Sequence, residues 1–73
     1  MEGRNLPPKI SLAAARVNAG YDQTLAALKL GVSVETLRNW EKGNTVPTYD
    51  KVMRICEVYK YPADYIFFGK SLA

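Results

Sequence analysis

The sequence predicts an all-α fold, a compact domain of five short helices. Three observations carry the prediction. Apolar residues recur at helical spacing, with no strand-like alternation. Gly20, Gly31, Gly43, Pro47, Pro62 and Gly69 punctuate the chain between the periodic stretches. Asp22, Ser33 and Thr48 stand where a helix start needs a side-chain oxygen for its free amides.

The elements follow in order. Residues 1–9, with Gly3, Asn5, Pro7 and Pro8, read as a flexible N-terminal arm, residues 10–69 as the folded domain and residues 70–73 as a ragged tail. From Ile10 the pattern turns helical. Ser11 to Ala19 is alanine-rich, Leu12, Ala15 and Arg16 share one face, and Gly20 ends the helix. Asp22 caps a second helix over about 23–30, and Gly31 suits the left-handed conformation that closes it. Ser33 caps a third over about 34–42, where Glu35 in the first turn favours the positive end of the dipole. Gly43 to Pro47 is a loop. Thr48 caps a fourth helix from Tyr49 to about Tyr59, with Val52, Ile55, Cys56 and Tyr59 as its apolar stripe. Tyr61 before Pro62 breaks that helix, and Pro62 opens a fifth running to Phe67 or Phe68, closed by Gly69.

Composition narrows the function classes. Seventy-three residues make one domain with a modest core, too small for a deep catalytic pocket. An apolar fraction of 48% with 23% charged residues is that of a folded globular chain. The net charge of +3 and pI near 9.2 suit a polyanionic partner. A single cysteine, Cys56, and no histidine exclude an internal disulfide and leave no set of metal ligands. No nucleophile–base pair or glycine-rich phosphate loop is present, so neither an enzyme, a cofactor nor a small-molecule ligand is expected. No apolar run is long enough to span a membrane and Met1 to Asn5 lacks the apolar stretch of a signal peptide, so the expected compartment is the cytoplasm.

The stretch from Gln23 to Lys42 is the most informative. Two helices joined by a three-residue turn and crossing steeply make demands at particular places. The crossing point needs a small residue, and Ala27 stands there. The chain must then reverse at Gly31, and Val32 plugs the core. Ala26 and Leu30 complete the inner face of the first helix of the pair, and Leu37 and Trp40 form that of the second. All seven positions hold the residue type that a helix-turn-helix requires.

On these residues the chain resembles the Cro and phage-repressor type of helix-turn-helix domain, the XRE family. The resemblance runs from about Leu12 to Phe68 and includes Arg16, Gly20, Gln23, Ala27, Gly31-Val32-Ser33, Leu37, Trp40-Glu41-Lys42-Gly43 and Pro47. It implies a lambda-repressor-like fold, a transcriptional regulator of phage or mobile-element type and a homodimer. It also implies a largely buried ion pair between Arg16 and Glu41. The residues agree, because an acid beside Trp40 needs a partner and Arg16 lies on the apolar side of the first helix.

In such a domain the helix over 34–42 enters the major groove of duplex DNA. Val34, Glu35, Arg38 and Asn39 point away from Leu37 and Trp40, with Thr36 at the margin, and these five are the base-contact candidates. Asn39 suits adenine, Arg38 guanine or a phosphate, Val34 a thymine methyl and Glu35 the amino group of cytosine. Gln23, which the resemblance places on a phosphate, joins Lys42, Asn44, Thr45 and Lys51 as phosphate candidates. Against this, the loop Gly43 to Pro47 carries no basic residue and Glu35 opposes phosphate. Leu25 and Leu28 replace the polar residues usual in related domains and, with Val34, form a candidate apolar patch. A second reading therefore stands beside the first: a small modulator or antirepressor that docks on another repressor protein. Its anchors would be Leu25, Leu28, Val34, Tyr65, Phe67 and Phe68, although the last three equally suit a homodimer interface or a core lid.

Overall fold

The structure, a computed structural model, describes residues 6–69. The outer part of the expected N-terminal arm and the expected tail at 70–73 lie outside the described residues. The chain forms β1 (Ile10–Ser11), α1 (Leu12–Asn18), α2 (Gln23–Leu30), α3 (Val34–Lys42) and α4 (Tyr49–Tyr59), then a 3-10 turn (Ala63–Tyr65) and β2 (Ile66–Phe67).

α1, α2 and α3 each begin where a side chain satisfies free amides. Ser11 Oγ accepts from the Ala14 N–H at 3.0 Å, Asp22 Oδ1 from the Leu25 N–H at 2.8 Å, and Ser33 Oγ from the Thr36 N–H at 3.0 Å. Such a cap contributes about 1 kcal/mol. Thr48 departs from the expectation. It occupies the cap position of α4 but makes no bond to the helix amides, its hydroxyl donating instead to Asp50 Oδ1 at 2.7 Å. That bond is the main cause holding the Asp50 carboxyl below its usual range. Gly31 and Gly43 end α2 and α3 at φ +74° and +79°, a region L side chains rarely adopt.

Two expectations are corrected. The first helix starts at Leu12, because Ile10 and Ser11 are extended and Ile10 pairs in parallel with Ile66. The expected fifth helix does not form. Pro62 is extended at ψ 138°, only Ala63–Tyr65 make a 3-10 turn, and Ile66 returns to the extended region at φ −118°. The run Tyr65-Ile66-Phe67-Phe68 is aromatic and β-branched, which favours strand over helix, and the extended path carries Ile66 into the core at 3% exposure. Among the described residues the fold is therefore four α-helices with a small strand pair, and Tyr65, Phe67 and Phe68 are not on an α-helix. Further contacts bind the two ends together: the Tyr61 hydroxyl donates to the Pro8 carbonyl, and the Lys9 ammonium stands 4.9 Å above the Phe67 ring.

The core is one cluster in which Leu12 and Ala15 of α1, Ala26, Ala27 and Leu30 of α2, Leu37 and Trp40 of α3, and Ile55 and Tyr59 of α4 converge with Ile66. Ala26 and Ala27 are essentially inaccessible, so α2 packs closely on its neighbours through its smallest side chains. Val32 packs against the same cluster and its N–H donates to the Ala27 carbonyl at 3.0 Å, which closes the turn between α2 and α3. Leu37 and Ile55, both at 0% exposure, are its largest fully buried side chains.

Candidate nucleic-acid interface

α3 is held to the body by one face and leaves the other free. Leu37 and Trp40 are buried, whereas Glu35 and Arg38 are exposed and Thr36 and Asn39 are half-buried. Val34 opens the helix but is partly buried against the core, so less of it is offered to a partner than its place in an apolar patch implied. Thr36 Oγ1 accepts from the Ser33 hydroxyl at 2.9 Å, which ties this side chain to the cap. Asn39 Oδ1 accepts from Asn44 Nδ2 at 3.4 Å, and its backbone carbonyl accepts from the Asn44 N–H at 3.0 Å. Asn44 is thus brought beside the end of α3.

Behind this face lies a polar network. Arg16 Nε donates to Glu41 Oε2 at 2.7 Å, Nη2 to Oε1 at 3.4 Å, and Nη1 to the Tyr21 carbonyl at 2.9 Å. The two side chains are 13% and 7% exposed, so the pair is largely shielded from water. Gln23 joins it, its Nε2 donating to Glu41 Oε1 at 3.0 Å. Gln23 Oε1 in turn accepts from Arg38 Nε at 3.4 Å. One orientation of the amide serves both contacts, with its donor toward the carboxylate and its acceptor toward the guanidinium. A continuous path therefore runs from Arg16, through Glu41 and Gln23, to Arg38 on the open face of α3.

Beside this network Tyr59 is 4% exposed, and among the described residues its hydroxyl has no hydrogen-bond partner. Burial pushes its pKa up to about 12, the charge of Glu41 adds to the rise, and Arg16 opposes it. Sequence reading missed Tyr59 as a neighbour of the pair and Tyr21 as an acceptor for Arg16. Neither contact has a local signal, since both depend on how α4 and the α1–α2 turn close over α1.

Of the other phosphate candidates, Lys42 and Thr45 are exposed at the end of α3 and in the loop after it. Lys51 sits in the first turn of α4, half-buried. The apolar candidates divide. Leu28 is 76% exposed and Leu25 40%, so Leu28 takes no part in the core. Phe67 is 41% exposed beneath Lys9, Tyr65 is half-buried in the 3-10 turn, and Phe68 packs against the core.

The sequence profile of the helix-turn-helix family matches residues 12–66, from the start of α1 to β2. The chain belongs to the XRE-type helix-turn-helix family. The HTH-type transcriptional regulator ImmR of Bacillus subtilis (strain 168) is 35% identical to the chain over 60 residues. That match covers 82% of this chain and 46% of ImmR, so the chain spans about half the length of that relative. No solved structure matches the chain. Among the described residues no helix is long and apolar enough to cross a membrane.

Proposed function

We propose that the chain is a sequence-specific DNA-binding transcriptional regulator that reads the major groove with α3. The observation that carries this reading is the two-sidedness of α3. Leu37 and Trp40 anchor one side, and the other presents Glu35, Arg38 and Asn39 at the helix face that helix-turn-helix domains lay along base edges. Membership of the family and the similarity to a transcriptional regulator support it. In this reading Arg38 and Asn39 contact bases, with Val34, Glu35 and Thr36 flanking them. Gln23, Lys42, Asn44, Thr45 and Lys51 contact phosphates, and two copies sit on half-sites about 34–36 Å apart. A salt titration on duplex DNA tests it: affinity should fall with a log–log slope near −0.9 per phosphate neutralised.

The exposure of Leu28 favours a second reading, a modulator that docks on another repressor protein through α2. Absence of DNA binding at low salt, together with stoichiometric association with a repressor, would establish this reading in place of the first.

A further inference from the structure

The side of the molecule where α2 meets α4 carries a groove to which α3 contributes no lining residue. It consists of two adjoining depressions of about 380 and 370 Å³ that share Tyr21, Val58 and Lys60. The first lies beside the end of α1 and extends to Tyr61. The second opens between Leu28 and Lys29 on α2 and Arg54 and Glu57 on α4. Its apolar part is Leu28, exposed to 76%, with Tyr21 and Val58, which rest on the core.

The charges around this groove are of one dominant sign. Lys29, Arg54 and Lys60 face a single acid, Glu57, giving a net charge of two in a chain whose total is +3. Two of the cations are held in place. The Lys29 ammonium lies 5.4 Å above the Tyr21 ring, and Arg54 donates through Nε and Nη2 to the Lys29 carbonyl at 3.4 and 3.3 Å. That carbonyl belongs to the last turn of α2, where carbonyls lack helical partners. Glu57 neutralises little, since its 3.9 Å contact with Arg54 is open to water at both ends.

We propose that this groove docks an acidic amphipathic helix of a partner protein. Its apolar stripe would lie on Leu28, Tyr21 and Val58, and its carboxylates would meet Lys29, Arg54 and Lys60. The rim charge selects an acidic partner. A DNA backbone would satisfy that charge but offers nothing to the exposed leucine, and a second copy apposed through the same face would set like charge against like. The groove shares no residue with the open face of α3, so a partner held here leaves that face accessible. The proposal stands or falls independently of DNA reading.

The test is a titration of the isotope-labelled chain, followed by NMR amide shifts, with a synthetic leucine–glutamate amphipathic helix. A lysine-for-glutamate version of the peptide serves as control. The acidic peptide is expected to bind saturably, moving the amides of Leu28, Lys29, Val58 and Lys60, while the basic peptide does not. Leu28→Ala should weaken binding about tenfold or more, the level of an interface anchor. Lys29→Glu should do the same with the native amide spectrum retained, its side chain being exposed. Absence of saturable binding, equal affinity for both peptides, shifts centred on α3, or unchanged affinity in both variants would overturn the proposal. So would random duplex DNA moving the same groove amides, or self-association that Leu28→Ala abolishes.

Discussion

Gln23 Nε2 lies 3.0 Å from Glu41 Oε1, on the carboxylate that Arg16 holds from the other side. A residue at the start of α2 is thereby coupled to the ion pair that joins α1 to α3. Because Gln23 also accepts from Arg38, the same contact sets the position of a side chain on the open face of α3. Architecture and candidate recognition surface share one network.

The ion pair should therefore dominate stability. Arg16→Ala strands Glu41 at 7% exposure and is expected to cost about 3–5 kcal/mol in urea unfolding. Arg16→Lys should recover only part of this, because a single ammonium cannot reproduce the fork onto Glu41 and the bond to the Tyr21 carbonyl. Full recovery by lysine would show that charge alone matters there.

Burial makes a sharper contrast between two leucines. Leu37→Ala, at 0% exposure, should cost about 2–5 kcal/mol, whereas Leu28→Ala, at 76%, should stay within about 0.5 kcal/mol. Comparable losses in thermal unfolding would contradict the outward placement of Leu28.

At Gly31 the conformational cost stands alone. A Cβ built there meets nothing within 4 Å, yet φ is +74°. Gly31→Ala should thus destabilise by about 1–2 kcal/mol through backbone strain without a clash. A loss much larger than this would mean that the turn packs more tightly than the structure shows.

Tyr59 gives a pH signature. Its folded pKa, pushed up to about 12, exceeds the ordinary value of 10, so folding favours the neutral phenol. The sign follows: this contribution is fully present below pH 10 and is lost as pH rises toward 12. Tyr59→Phe removes a buried hydroxyl that lacks a partner, so it should be neutral or stabilising at pH 8. It should also unfold less readily than the wild-type chain at pH 11, and a steeper alkaline loss in the variant would refute the assignment.

Much of this architecture is legible in the residues themselves. Asp22, Gly31, Ser33 and Gly43 bound α2 and α3 because caps and left-handed turns act locally, and Ala26, Ala27, Leu37 and Trp40 occupy the positions that a close helix crossing requires. The strand pair is not legible in this way. Ile10–Ser11 and Ile66–Phe67 are two residues each, too short to alternate, and they meet only because the chain ends are brought together. The same long-range pairing overrides Pro62 as a helix start. Gln23 was readable as a helix-start residue near DNA, but its bonds to Glu41 and Arg38 arise from the approach of α2 to α3 and have no local trace.

In the proposed function Arg38 and Asn39 of α3 read bases. Selection of preferred sites from a random duplex pool by the wild-type chain, Arg38→Ala and Asn39→Ala tests it most directly. Each substitution is expected to relax preference at its own base position, by about 1–3 kcal/mol of lost discrimination, while the remaining positions keep theirs. Identical preferences in all three proteins would remove α3 as the reading element.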